Sequence, residues 1–585
     1  MKTIRVVGLA VSVAVLGGVR AAGGAGWRRQ AENGNPAGDG RQDADGKQAA
    51  IQSEVKIVVV DVVVTGAKGQ PAAGLKKEDF QVSEDGKVQT VSFFEEHTGG
   101  RVTPVALPAM PPDVFTNYPT VKTDSVNVLL LDSLNTQALD QTYVRPQMEK
   151  YLEAAIAAPN GARLAIFTLG QELRMIRGFT ADSAKSLAAV DDPKSNTKAK
   201  YEYQLASPAR KAAEAAICAG LLAPIAKESC NAYLAQMNTD RDVDRVSMTL
   251  QAFQALARYL APIPGRKNVI WVAGSFPIQF FPDTGTRGKF ASPYPKAVRQ
   301  TAEFLTADQV AVYPIGATGL FGESYLEGNK DPSANKTGKA VAADEADRSF
   351  NQIAMELLAR DTGGHAFYNA NGLSEAMAQA VEEGSNFYTL AYAPANTHRD
   401  GKYRKVEVQV VEGNFKLAYR RGYYAENAKL PTAGEGKKRD EMTPLMGFGM
   451  PDFAQILYKV KVALVQGAGT GTSGDGKSAR YGFDFAITPG DFSLQNGPDG
   501  VRRGNMDTMI VAYDGDGKIL NSFRKKSEIA LDPQSYAGVM RVGLQMHREM
   551  DVPEGAVYLR TGIMDTNSGK LGSLELELGG IKTPR

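Results

Sequence analysis

The sequence predicts a multidomain chain: a central doubly wound, Rossmann-like α/β domain flanked by a small N-terminal β unit and a C-terminal β-sandwich. Three observations carry this. Residues 125–393 alternate short apolar runs with stretches of helical period, the pattern of a mostly parallel sheet covered on both faces. Residues 52–97, and those beyond Asp452, show period-two alternation between turn signals instead. At 585 residues the chain also exceeds the roughly 250–300 residues that one hydrophobic core organises.

Taken in order, Lys2 and Arg5 precede an apolar run, Val6 to Leu16, with small residues at Val19 and Ala21. A basic head, short apolar core and small-residue end fit a secretory signal over residues 1–21. The run is short for a membrane span of about 20 residues. The product is therefore expected to be exported, periplasmic or extracellular, and not an integral membrane protein. Residues 22–50, mostly Gly, Ala, Asp, Asn and Gln, hold too little apolar surface to order and are expected to be disordered. The β-branched run Val55–Val64 reads as a strand. Phe80–Ser83 and Val88–Phe93 read as a hairpin through Asp85-Gly86. These form the β unit, 52–97. Residues 98–124, with five prolines between Arg101 and Asp124, read as an extended linker.

In the α/β region the expected strands are Val126–Leu131, Ala162–Leu169, Leu173–Ile176, Asn268–Ala273, Val310–Ile315, His365–Tyr368 and Phe387–Ala393. Between them fall helical patterns over Tyr143–Ala157, Ala181–Val190, Ala209–Leu260, Tyr294–Thr306, Ala343–Thr362 and Leu373–Glu383. A helical insertion at about 192–240 carries both cysteines of the chain, Cys218 and Cys230. An even count in an exported chain favours a disulfide, here stapling a helical hairpin with Pro224 at its turn. Residues 394–425 read as a β-hairpin extension, 426–447 as a polar linker, and 452–585 as the sandwich, its short strands spaced by turns such as Asp514–Gly517.

Little in this chain points to catalysis or to nucleic acid. Lys+Arg 67 against Asp+Glu 65 leaves a net charge of +2, without the concentrated positive charge that displaces phosphate counterions. Gly467–Thr472 lacks the Lys-Ser/Thr and following helix of a phosphate loop. Asp514-Gly515-Asp516-Gly517 begins like a calcium loop but has Lys525 where the bidentate Glu is needed. His97, His365, His398 and His547 are scattered, with no His-Glu-x-x-His and no Gly-x-Ser-x-Gly elbow. Aromatic residues do cluster at Phe276, Phe280-Phe281, Phe290 and Tyr294, in the loop leaving the fourth strand, where an α/β sheet presents its binding edge; a hydrophobic mini-core under a long loop is the other reading.

The order of strands and helices resembles the von Willebrand factor A domain. There the first strand ends in Asp-x-Ser-x-Ser, which with a later Thr and a later Asp holds a divalent cation, so the resemblance implies a cation-dependent adhesion site. The matching positions here are Asp132-Ser133-Leu134-Asn135-Thr136. Asp132 keeps the first ligand and Thr136 offers a hydroxyl, but Leu134 offers nothing and Ala273 stands where the later Asp would be. No Gly-Gly-Thr intervenes, and Thr180 and Thr197 are unaligned substitutes. Mg²⁺ demands near-octahedral oxygen ligation. The site therefore reads as degenerate: no cofactor, with a weak divalent cation at Asp132 and Thr136 as the alternative. More of the chain is similar to the VWFA-related acidobacterial domain family. The segments are Val63-Val64-Thr65, Gly74–Val82, Glu84–Gln89, Leu131-Asp132-Ser133, Gly178-Phe179-Thr180, Thr362–Phe367, Tyr388–Tyr392 and Arg420-Arg421-Gly422-Tyr423-Tyr424. They span residues 52–425 in order. The resemblance implies an exported protein with no catalytic residues to transfer.

The expectation is a non-catalytic protein-interaction or scaffold protein. Its binding edge would be Asp132, Asn135, Thr136 and Ala273, with Phe276, Phe280 and Phe281 as the loop that meets a protein partner. A Mg²⁺- or Mn²⁺-dependent adhesin and an envelope hydrolase of unknown class are the alternatives.

Overall fold

The computed structural model describes residues 57–99, 102–104, 109–119, 121–156, 164–180, 182–191, 203–206, 208–276, 294–317, 352–368, 372–425, 440–465, 471–473 and 476–581. The expected signal at 1–21, the polar stretch 22–50 and most of the Gly467–Thr472 loop lie outside them.

A five-stranded sheet organises the middle of the chain. Ser125–Asp132, buried at every position but Leu131, lies at its centre. Leu164–Leu169 flanks it on one side; Arg266–Ala273 and then Val310–Gly316 lie on the other. These four run parallel. The expected third strand is longer than its apolar start suggests, Leu173–Thr180, and closes the far edge antiparallel to Leu164–Leu169. His365–Tyr368 contributes only a parallel bridge from Phe367 to Ile315.

Helices cover both faces, which is why the strands read as continuous apolar runs. On one side Val128, Leu130 and Trp271 pack against Phe253 and Leu256 of the Pro224–Leu260 helix, Leu305 of Tyr294–Ala307 and Leu358 of the helix 352–362. On the other, Leu129, Ile270 and Tyr313 meet Met148 and Leu152 of Ala138–Ile156 and Met377 of Leu373–Ser385. The long helix expected at Ala209–Leu260 is two helices, Pro208–Ala219 and Pro224–Leu260. Pro224 cannot continue a helix but suits the first turn of a new one. A Cys218–Cys230 disulfide joins the pair, with Cα atoms 5.5 Å apart.

Three expectations change. Phe387–Tyr392 is no part of the α/β sheet; it lies antiparallel between Val58–Thr65 and Val91–His97. A strand buried on both faces reads the same in any sheet. Its tyrosines seat it here: Tyr388 donates to Ala72 O at 2.9 Å and Tyr392 to Glu84 Oε2 at 2.8 Å. Second, the N-terminal β unit and the later hairpin are one body. Lys416–Ala418 extends the first sheet, and Tyr403–Val410 pairs with Phe80–Glu84 in a second four-stranded sheet. Their facing apolar residues, Val60, Val62, Val82, Leu390 and Val406, form one core. The α/β domain is thus inserted between the two halves of a β unit. The Asp85-Gly86 hairpin turn has positive φ at both residues, 48° and 78°, as a type I′ turn requires.

Third, the 98–124 linker is not free. Val114–Thr116 pairs with Tyr458–Leu464, and the Asn117 amide donates to Phe453 O and Ile456 O, both at 2.8 Å. The linker thereby adds an edge strand to the C-terminal domain. That domain is two sheets facing across one core: one is built on Tyr458–Leu464, Gly476–Ile487 and Leu544–Pro553, the other on Arg502–Tyr513, Ile519–Leu531, Tyr558–Asp565 and Leu571–Glu577. At Asp514–Gly517 the Asp514 carboxylate accepts the backbone N–H groups of Asp516 and Lys518, both at 2.9 Å, which makes the segment a turn.

Candidate functional site

The chain fills one half of the sheet and then crosses to the other, so strand order reverses between Ser125–Asp132 and Arg266–Ala273. The crevice beyond the C-terminal ends of these strands is where α/β sheets bind ligands. Asp132, Asn135, Thr136 and Ala273 all lie there and all are buried.

Asp132 is the centre of a hydrogen-bond cage. Its Oδ1 accepts the Asn135 backbone N–H at 2.9 Å; its Oδ2 accepts the Asn135 side-chain amide at 2.8 Å and the Trp271 indole N–H at 2.9 Å. Asn135 also donates to Thr249 Oγ1 of the long helix, at 2.7 Å. The Thr136 hydroxyl donates to the Asp132 carbonyl and accepts the Gly274 N–H at 3.0 Å. Ser275 N–H reaches Asn135 O at 2.9 Å, while Gln141 holds Ser133 O and Thr136 O from below. Gly274 is glycine for space, since a Cβ there would lie 3.1 Å from Asn135 O and 3.2 Å from Thr136 Cα. Leu134 is fully buried in the core.

Burial pushes the Asp132 carboxyl up to about 6, against the opposing pull of Asn135, Trp271 and Leu134. Arg245, on the helix turn before Thr249, carries a positive charge on which Asp132 acts. Burial lowers its pKa, while Asp242 and Asp132 hold the charge on. This donor set offers a divalent cation little: of the roughly four lone-pair sites of Asp132, three already face N–H groups of Asn135 and Trp271. Asn135 Oδ1 is a buried acceptor without a donor among the described residues, one neutral oxygen. Thr180 pairs with Leu164 at the opposite end of the sheet, and Thr197 lies outside the described residues.

Trp271, Thr249 and Arg245 were not anticipated. Trp271 shares a strand face with Ala273, two residues on. Where Ala273 removes a carboxylate, the indole supplies a donor. Phe276 is not a loop residue waiting for a partner. It is fully buried, with its ring edge-on to Trp271 at 5.1 Å, because an aromatic leaving a strand end next to an indole gains more from burial there than from display. Phe280 and Phe281 lie outside the described residues. What the edge does offer is a cleft of about 590 Å³ between the sheet and the Ala138–Ile156 helix, walled by Val144, Met148, Ile166 and Val272, with Asp132 and Thr136 at its polar end.

No protein-family model matches the sequence, and no curated protein does. Among solved structures the chain is similar to the conserved hypothetical protein BatB from Bacteroides thetaiotaomicron (TM-score 0.22, 11% identity, covering 44% of this chain and 98% of that one). It is also similar to the vWF domain of the type V pili tip protein Mfa5 from Porphyromonas gingivalis (TM-score 0.24, 10% identity, 44% and 94%). The three N-terminal domains of Mfa5 match over more of this chain (TM-score 0.23, 9% identity, 84% and 77%). None of these likenesses transfers a residue role. The domain's own strand order, with its antiparallel third strand and its reversal beside Asp132, is the arrangement expected from its resemblance to the von Willebrand factor A domain, with hydrogen-bond donors around the expected cation ligand.

Proposed function

We propose that the chain is an exported, non-catalytic interaction protein that meets a protein partner at the switch-point edge of its A-like domain, with no cofactor. The observation that carries this reading is the Asp132 carboxylate, both of whose oxygens accept N–H donors from Asn135 and Trp271. A carboxylate so engaged has little capacity left for a metal or a proton in flight, which supports a metal-independent, non-catalytic reading. It is a brace that holds the 132–136 loop and leaves the neighbouring apolar cleft as the recognition feature. Export rests on the basic and apolar pattern of residues 1–21 and on the Cys218–Cys230 disulfide, a bond that persists in oxidising compartments. Among the described residues no helix is long and apolar enough to cross a membrane.

Isothermal titration of the mature protein with Mn²⁺ and Mg²⁺ tests the metal-independent reading, together with pull-down from envelope extract with and without chelator. The expected outcome is no binding heat, and the same captured protein in both pull-downs. Capture abolished by chelator and restored by Mn²⁺ would establish the metal-dependent adhesin in its place.

A further inference from the structure

The Arg420–Tyr424 segment has no part in the reading above, yet it walls a second cleft, of about 650 Å³, at the opposite end of the sheet from Asp132. The cleft lies between the β unit and the base of the α/β domain. Val58 and Val59 line it from the first strand, and Arg299 and Glu303 face them from the Tyr294–Ala307 helix. Its volume falls within the roughly 300–1,000 Å³ of small-molecule sites.

Two cations and two acids line it, Arg299 and Arg420 against Glu303 and Asp361. Asp61 is committed to Thr389 at 2.8 Å and Gln309 at 3.2 Å, with Arg266 at 4.0 Å. Asp361 pairs with Arg360 at 3.8 Å, and Glu303 faces Arg299, which donates to Tyr424 Oη at 3.3 Å. Arg421 turns away to stack on Tyr419, 4.4 Å from the ring centre. Arg420 lies over the Tyr423 ring, 5.9 Å from its centre, and Asp61 supports its charge without a hydrogen bond. Its Nε is shielded from solvent and has no hydrogen-bond partner among the described residues, while its Nη groups border the cleft. A half-buried cation so placed is a position a ligand anion can fill.

The geometry points to a binding site for a small planar carboxylic acid, its carboxylate seated on the Arg420 fork and its body against Tyr403 and Tyr424. The guanidinium matches a carboxylate through two parallel N–H bonds. Tyr403 and Tyr424 pack edge to face at 5.2 Å and form an aromatic wall. Gly422 permits that wall: a Cβ there would lie 2.2 Å from Arg404 O and 2.5 Å from the Tyr403 ring. Glu303 and Asp361 line the same cleft, so a phosphate dianion would face two acidic side chains that a single carboxylate meets at half the charge.

Ligand-observed saturation-transfer NMR on the purified full chain tests this, with benzoate and indole-3-acetate as probes and benzyl alcohol and inorganic phosphate as controls. The acids are expected to bind at least about tenfold more tightly than benzyl alcohol or phosphate, and Arg420→Gln to remove that preference. Tyr424→Ala should weaken benzoate while the Trp271 indole resonance stays in place. It carries the test if Arg420→Gln fails to fold by circular dichroism. Equal binding of benzoate and benzyl alcohol, a preference for phosphate, no binding of either acid, or affinity untouched by the substitutions would each overturn the proposal.

Discussion

Burial and hydrogen bonding pull the Asp132 carboxyl in opposite directions, and burial wins, to about 6. The folded chain therefore holds this proton to higher pH than the unfolded chain, whose carboxyl has its ordinary value of 3.8. Between these values the folded state binds more protons. The stability that the neutral form contributes is present below pH 4 and is lost as pH rises through 6. The shift is worth about 3 kcal/mol at most. Trp271 reports it directly, because its indole N–H bonds Asp132 Oδ2 and the chain has only two tryptophans. Its N–H resonance is expected to titrate with a midpoint near 6. A resonance that stays flat from pH 4 to pH 8 would contradict the shift. Trp271→Phe should lower stability by about 2–4 kcal/mol in urea unfolding, from the donor lost to a buried carboxyl and the space left beside Phe253 and Phe276.

At the level of elements, the helical hairpin separates what periodicity reveals from what it hides. Pro208–Ala219 and Pro224–Leu260 are joined by the disulfide, and their tip exposes Ile217, Leu222 and Ile225. With little burial at the tip, the covalent link closing 12 residues does the stapling. Replacing Cys218 and Cys230 by Ser is expected to cost the hairpin about 2–3 kcal/mol, read as faster amide exchange over residues 208–238 with the Trp271 signal unmoved. Unchanged exchange would show the helices hold without it. That hairpin and the strands ending at Asp132 and Ala273 were legible because a cysteine pair and unbroken apolar runs are local signals. Phe387–Tyr392 was assigned to the wrong sheet because its apolar pattern does not encode which neighbour it has. Val114–Thr116 was invisible, being three residues among prolines with no period to read. The site was legible in its losses, Leu134 and Ala273, and illegible in its replacement. Trp271 acts on a carboxylate 139 positions away, and only the fold brings the two together.

Over the whole molecule the A-like domain and the sandwich share a core. Arg502–Tyr513 is buried on both faces: Ile510 and Ala512 point into the sandwich, while Met509, Val511 and Tyr513 join the cluster that contains Trp271 and Phe253. Met442, Met446, Met450 and Phe453 fill the space between, and Gly449 O accepts the Met175 N–H at 2.8 Å. The fully buried Arg560 ties this segment down from the sandwich side, donating to Met450 O at 2.7 Å and to Glu575 at 3.1 Å. Val114–Thr116 adds a covalent tether, since the chain must pass through the sandwich before entering the α/β domain. An interface that is a continuous apolar core couples the two bodies, whereas a polar one would let them move and melt apart. Met446→Glu places a charge in an apolar core, against Gly562, where an added Cβ would lie 2.3 Å from the Met446 sulfur. It should lower stability by about 2–4 kcal/mol. Amide exchange in urea is expected to show one shared, lowered midpoint for Leu164–Leu169 and Tyr458–Leu464. Were only the sandwich strand to shift, the two domains would be neighbours that touch without sharing a core, and the A-like domain would fold on its own.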